Sequence, residues 1–369
     1  MKLKEIITCL EKFAPPALQE SYDNAGLIAG SPDSEISSAL LCLDCTEEVM
    51  DEAIAAQCNL VIAHHPIIFS GLKKITGTSY IERVIIKAIE NKIAIYAAHT
   101  NLDNMRNGVN ARICERLGLH STQILLPLKN QLVKLFTFVP ENYASAVRDA
   151  LFQAGAGSIG NYDECSFNME GYGSFRGNER TDPFAGEKGI RHREMETKIE
   201  VVFPEWLTKN VVAALKQSHP YEEVAYDLVI LGNEWEHAGA GMVGVLEKEM
   251  EFVDFLAFLK EKMDLKIIRH TAPVKRINIQ GTISRVAVCG GAGSFLLKHA
   301  IANNADIFIT ADFKYHQFFD AENKIIIADI GHYESEQFTQ EIFADVLRQN
   351  FPNFAFRITS VNTNPIKYY

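Results

Sequence analysis

The chain has 369 residues, 47% of them hydrophobic and 22% charged, with a formal net charge of −11 and seven cysteines. At roughly 100–200 residues per domain, this length suggests two or three domains, with cores large enough to need no disulfide staples. The negative balance argues against general nucleic-acid binding and adsorption to anionic membranes; an odd set of irregularly spaced cysteines reads as reduced thiols in a cytoplasmic protein.

The first predicted element is an amphipathic helix in MKLKEIITCLEKFAPP. It has no uninterrupted apolar stretch and no small-residue cleavage site, so it does not read as a signal peptide. No apolar run approaches ~18 residues, so no membrane span is expected. A buried strand follows in SALLCLD, where Cys42 and Cys45 form a C-x-x-C. No second such pair exists to complete a zinc site, and the two read as small apolar residues at a strand end.

The strand NLVIAHHP ends in His64 and His65. Adjacent residues in extended backbone point to opposite sides, and Pro66 biases His65 toward that geometry. Such a pair could serve two different metal ions. After the helical stretch SYIERVIIKAIEN, a strand in KIAIYAAHTNLD ends at Ala98, and His99 and Asp103 follow. A turn can bring residues four apart together, with Asp103 adding a hard oxygen ligand. His99 reads either as a further ligand or as a hydrogen-bonding partner to one.

From Leu128 the pattern changes. Strand candidates LVKLFTFVP and TKIEVVFP are each followed by a helical stretch, and YDLVIL closes the segment after one long glycine-rich, polar tract. The order is that of a βαββαβ two-layer unit. The expected organisation is an α/β core over residues 1–127 and 232–369, split by an inserted domain over 128–231. His192 and His219 fall inside the insert without partners at metal spacing.

The α/β pattern resumes with MVGVLEKEMEFVDFLAFLKEKM, then RVAVCGG, ADIFITAD and KIIIADI. Alternating strands and helices imply a largely parallel sheet with its chemistry at the carboxyl ends of the strands. Gly290, Gly291 and Gly293 lie between a strand and a helix, where backbone amides could hold a phosphate or permit close packing. Asp312 and His316 follow another strand and could act as a base or as partners of a ligand. In KIIIADIGHYESEQF, Gly331 makes a turn, and His332 and Glu336 share one helix face. A glutamate can bridge two ions with its two oxygens. Three strand ends therefore carry four histidines and two carboxylates, enough for two ions with positions left open for chemistry. Mixed nitrogen and oxygen ligands suit zinc, manganese, iron or cobalt, and suit calcium poorly.

The motifs AHHP, HTNLD and IGHYESE, in that order, with SYDNAGLIAG before them and ITADFKYH before the last, resemble those of the Nif-three-like family, also described as GTP cyclohydrolase 1 type 2 homologues. The resemblance spans essentially the whole chain. It implies a Nif-three-like α/β core interrupted by a ferredoxin-like insert similar to CutA or PII. It also implies two divalent metal ions per subunit, zinc foremost, on His64, His65, Asp103, His332 and Glu336, with Glu336 as bridge, in a ring-shaped homohexamer. The expected function is a dinuclear metal-dependent hydrolase acting on a nucleotide or related heterocycle through a metal-activated water. His99, Asp312 or His316 would move protons. In the cyclohydrolase form the target is C8 of guanine, and ring opening releases formate. The alternatives are a metal-dependent phosphoesterase, or a metal-stabilised binding or regulatory protein whose insert senses a ligand.

Overall fold

The apolar runs that read as buried strands divide between two sheets in the first of two units, which comprises Met1–Pro127 and His237–Tyr369. The computed structural model describes residues 1–272 and 282–369. One sheet runs Gly26–Ala29, Ala94–Ala97, Leu60–His65, Ser38–Asp44, Ala355–Ile358, parallel except for its first strand. The other has six strands in the order Arg269–His270, Ile326–Asp329, Ile307–Ala311, Thr282–Ala292, Glu234–Glu251, His120–Lys129. Its central three are parallel and their outer neighbours antiparallel. The α/β class stands, but the single largely parallel sheet expected is in fact two sheets with parallel centres. A continuous apolar run marks a strand as buried on both faces without saying which strands pair.

Successive side chains of each run point to opposite faces, and this sets the layers. Leu60 and Ile62 of one sheet and Val286, Val288, Ile307 and Ile309 of the other share a core with the helices Leu3–Phe13 and Thr339–Asn350. The intervening residues face outward: Val61 and Ala63 pack on the helices Glu47–Ala55 and Tyr80–Glu90, and Ala287 and Phe308 lie in a third cluster. Local chemistry starts the outer helices where the strands end. Thr46 accepts from the Val49 N–H and Ser79 from the Glu82 N–H, each supplying a partner to an otherwise orphaned helix-start donor. No helix among the described residues is long and apolar enough to cross a membrane.

The second unit is Leu128–Glu236. Its four-stranded antiparallel sheet has the order Phe167–Phe175, His192–Pro204, Leu132–Pro140, Tyr226–Leu231. With the helices Ala144–Gln153 and Thr208–Ser218 between strands, this is βαββαβ connectivity, the ferredoxin-like arrangement. Val133, Leu135, Ile199, Val201 and Phe203 turn one sheet face to Val147, Leu151, Val211 and Leu215 of the two helices. The unit extends past the expected end at residue 231, because Trp235 packs on Trp206 at 5.1 Å and Glu234 pairs with Lys129 at 3.1 Å.

Candidate metal centre

The carboxyl ends of the first unit's strands converge on one carboxylate. Glu336 is 3% exposed and sits on the short helix His332–Glu336, which starts after Gly331 at φ +92°. Its Oε2 lies 3.0 Å from His65 Nε2, 3.2 Å from His332 Nε2 and 3.9 Å from His64 Nε2. The Oδ1 of Asp103, at the end of the helix Thr100–Asp103, is 3.5 Å from His64 Nε2. His64 and His65 are neighbours at a strand end, and there both rings reach the same glutamate, with centroids 4.9 Å apart. Two ligand groups share Glu336: His65 with His332, and His64 with Asp103. His64 Nε2 and Asp103 Oδ1 are buried with no hydrogen-bond partner among the described residues. Buried polar atoms are rarely left so, and this pair faces the same point.

Each histidine is fixed from behind. His64 Nδ1–H donates to the Ala98 carbonyl at 2.9 Å, and His65 Nδ1–H to Asp44 at 2.7 Å. His99 Nδ1–H donates to Asp23 at 2.8 Å, and His332 Nδ1–H to Asp312 at 2.6 Å. This occupies Nδ1 and leaves Nε2 as the free donor atom, the arrangement by which outer carboxylates and carbonyls orient imidazole ligands.

The electrostatics follow from crowding these groups together. Burial opposes the charge of Glu336, but hydrogen bonds from His332 and His65 outweigh it and hold the carboxyl far below its usual range. Burial, with the Glu336 charge beside it, pushes Asp103 well up. Burial also works against a charge on His65, yet its hydrogen bonds to Asp44 and Glu336 raise it to about 10. Glu336 and Asp312 overcome burial in the same way to raise His332 to about 9. His64, wholly enclosed, is lowered to about 3 mainly by burial. The centre thus attracts positive charge at His65 and His332 while keeping His64 a neutral donor.

His65, His99, Asp103, His332 and Glu336 wall a cavity of about 850 Å³ in the first unit. Tyr22, Phe69 and Phe295 also line it, each with more than half its surface exposed. The profile of the Duf34/NIF3 (NGG1p interacting factor 3) family matches residues 1–365. The chain belongs to this family. A Halalkalibacterium halodurans relative, 39% identical over 98% of both chains, is named GTP cyclohydrolase 1 type 2 homolog, as is a Bacillus subtilis relative at 37% over 99% of this chain and 98% of its own. The crystal structure of a Bacillus cereus protein related to NIF3 superposes with a TM-score of 0.85 at 37% identity, covering 100% of this chain and 99% of that one.

Within this NIF3 chain, the geometry bears on three sequence readings that the residues alone leave open. Asp312, at φ +58°, faces His332 as its outer partner. His316 is exposed, packs on Tyr315 and Phe319, and is not among the residues walling the cavity. The glycine run lies against Glu336: a Cβ on Gly291 would sit 2.4 Å from Glu336 Oε1, and one on Gly290 would sit 3.4 Å from its Cγ. The Gly290 N–H donates to Asn110 and the Gly291 N–H to Ser335, so two of the amides assigned to a phosphate are committed within the fold. Gly293 packs tightly on Thr310 and Cys289 instead of lining the cavity.

Two carboxylates escaped the sequence reading. Asp44 stands opposite His65 in the parallel register of neighbouring strands. Asp23, in the SYDNAG segment, holds both His99 and Thr100; burial opposes its charge, but those hydrogen bonds keep the carboxyl far below its usual range. The one signal for Asp44 was its place at the end of the strand before NLVIAHH. Asp23 had no local signal beyond its motif. All seven cysteines are free, and burial pushes the Cys45 thiol up to about 12, which suits the packing reading of the C-x-x-C.

Proposed function

We propose that this NIF3-family chain is a dinuclear metal-dependent hydrolase acting on a nucleotide or related heterocycle. The observation that carries the reading is the convergence of His64, His65, Asp103 and His332 on Glu336 beside an open cavity, with His64 Nε2 and Asp103 Oδ1 unpartnered among the described residues. The donor set fits two divalent ions, zinc foremost, with manganese, iron or cobalt as alternatives. His65 and His332 would hold one ion, His64 and Asp103 the other, and Glu336 both. When bound, the ions supply Lewis acidity and lower the pKa of water toward about 7.

The chain's own side chains do the rest. Asp44, Asp23, Asp312 and the Ala98 carbonyl orient the four imidazoles. The His99 ring lies 5.2 Å from that of His64 and 5.3 Å from that of His65; it is left out of both groups centred on Glu336, and forms a further candidate group with those two histidines. Its Nε2 is the atom best placed to take or give a proton. Tyr22, Phe69 and Phe295 offer faces on which a planar ring can lie, and the described lining holds no Lys or Arg. These walls fit a base better than a phosphate, which favours heterocycle hydrolysis over phosphoester hydrolysis. The relatives' names suggest guanine ring opening with release of formate. A homohexamer in the cytoplasm completes the reading.

A panel of purine nucleotides, nucleosides and phosphoesters, assayed for formate, phosphate and spectral change with and without chelator, tests it. Chelator-sensitive turnover of a heterocycle is expected. Turnover confined to phosphoesters would replace this reading with a phosphoesterase. Full metal loading without turnover of any member would favour the regulatory alternative, which the separate cavity in the second unit supports.

A further inference from the structure

The second unit has a cavity of its own, of about 620 Å³, on the sheet face turned away from its two helices. In the strand His192–Pro204, Thr197, Ile199, Val201 and Phe203 are buried, the last three against the helices, so Glu196 and Lys198 point to the opposite face. Glu196 is nevertheless only 8% exposed. Its Oε1 accepts the Tyr221 hydroxyl at 2.8 Å. Its Oε2 lies where a Cβ on Gly173 would come within 2.0 Å, so only glycine there leaves room for the carboxylate.

Around this carboxylate stand three tilted rings. Tyr221 meets Phe175 at 5.8 Å and 62°, and Phe184 at 6.0 Å and 50°. Rings inclined in this way form a concave wall, not a stack. The charged residues lining the cavity are Glu170, Glu196, Glu222 and Glu223 against Arg176 and Lys198, four acids to two bases. Lys198 is engaged elsewhere, its Nζ 2.7 Å from Glu200 and 4.4 Å from the Phe136 ring centroid. A buried carboxylate, ring faces and a net negative rim all select for positive charge on an apolar body, since ring faces attract cations and a buried charge calls for a partner.

The geometry points to a binding site for a small organic ammonium ion in the second unit, its cationic head against Glu196 and within the rings of Phe175, Phe184 and Tyr221. The volume falls in the range of small-molecule sites, so the ligand carries an apolar or aromatic body beyond the head. Aromatic walls alone would also accept a purine; the acidic rim and the enclosed carboxylate favour the cation.

Calorimetry on the full-length protein with benzyltrimethylammonium tests this, with two comparison ligands: its neutral isostere, in which a tert-butyl group replaces the trimethylammonium, and guanosine monophosphate. Saturable binding of the cation is expected, about tenfold or more tighter than that of the isostere. Glu196→Gln keeps the shape and an acceptor for Tyr221, and Phe184→Ala removes a ring that is already 49% exposed, so both should fold. Each should weaken the cation about tenfold, while Glu336→Gln leaves it unchanged. Equal binding of the isostere, cation binding unaffected by Glu196→Gln, or no saturable cation binding at millimolar concentration overturns the proposal. Binding of guanosine monophosphate alone would assign the cavity to a purine instead.

Discussion

Replacing Gly291 with alanine separates the packing role of the glycine run from a phosphate-holding one. Gly291 has φ +62°, and an L-residue there costs roughly 1–2 kcal/mol. The new methyl would lie 2.4 Å from Glu336 Oε1 and 3.3 Å from His332 Cε1. Glu336 is enclosed, with Gly290 close against its Cγ, so its carboxylate can yield only by leaving its rotamer, at a further cost of about 0.5–1.5 kcal/mol. The expected destabilisation is about 2–3 kcal/mol, a fall in Tm of several degrees. Loss of at least one bound ion should accompany it, because Glu336 moves off His65 and His332. Thermal unfolding with and without chelator, beside elemental analysis of the same preparations, reads both effects. Chelator should narrow the gap between variant and wild type to the backbone and rotamer shares. A Gly291→Ala protein with full metal content and an unchanged Tm refutes the reasoning. Intact metal with weakened binding of phosphate-bearing ligands alone would restore the phosphate role.

Three further outcomes are expected. Asp44→Asn removes the carboxylate behind His65 and should weaken metal binding about 10–100-fold in a chelator competition, with the fold retained; unchanged affinity would make Asp44 irrelevant to the site. His65 and His332 are raised from 6.5 to about 10 and about 9, so in chelator-treated protein the stability they contribute is fully present below pH 6.5 and lost as pH rises through those values. Metal uptake at neutral pH must then release protons and tighten with rising pH, which calorimetry in buffers of different ionisation enthalpy detects; proton-neutral uptake would contradict this. A short Gly/Ser linker from Pro127 to His237 should leave a folded, metal-binding first unit, because a Cβ on Gly239 would lie only 2.7 Å from Pro127 Cα. Loss of metal from a folded truncation would show that the second unit shapes the site.

What the sequence disclosed depended on whether the signal was local. His332 and Glu336 share a face at a spacing of four, and helix geometry alone brings them together. His64, His65 and Asp103 were legible because parallel strands deliver their carboxyl ends to one edge. Asp44 was hidden because its relation to His65 is one of strand register, which no run of residues encodes. Asp23 meets His99 across 76 positions of chain, a contact made by tertiary packing. Gly290 and Gly291 were ambiguous for the same reason: a glycine that admits a ligand and a glycine that admits a neighbouring glutamate look alike until the glutamate is placed. The apolar strands announced their burial, but the split into two sheets rests on pairing that a continuous apolar run does not determine.

On the function proposed above, Glu336 gathers two ions between His65 with His332 and His64 with Asp103. Elemental analysis of purified wild-type, Glu336→Ala and His316→Ala proteins, each verified as folded by circular dichroism, tests it most directly. About two transition-metal ions per chain are expected in the wild type and in His316→Ala, with a substantial loss from Glu336→Ala. Full occupancy in a folded Glu336→Ala protein would contradict it.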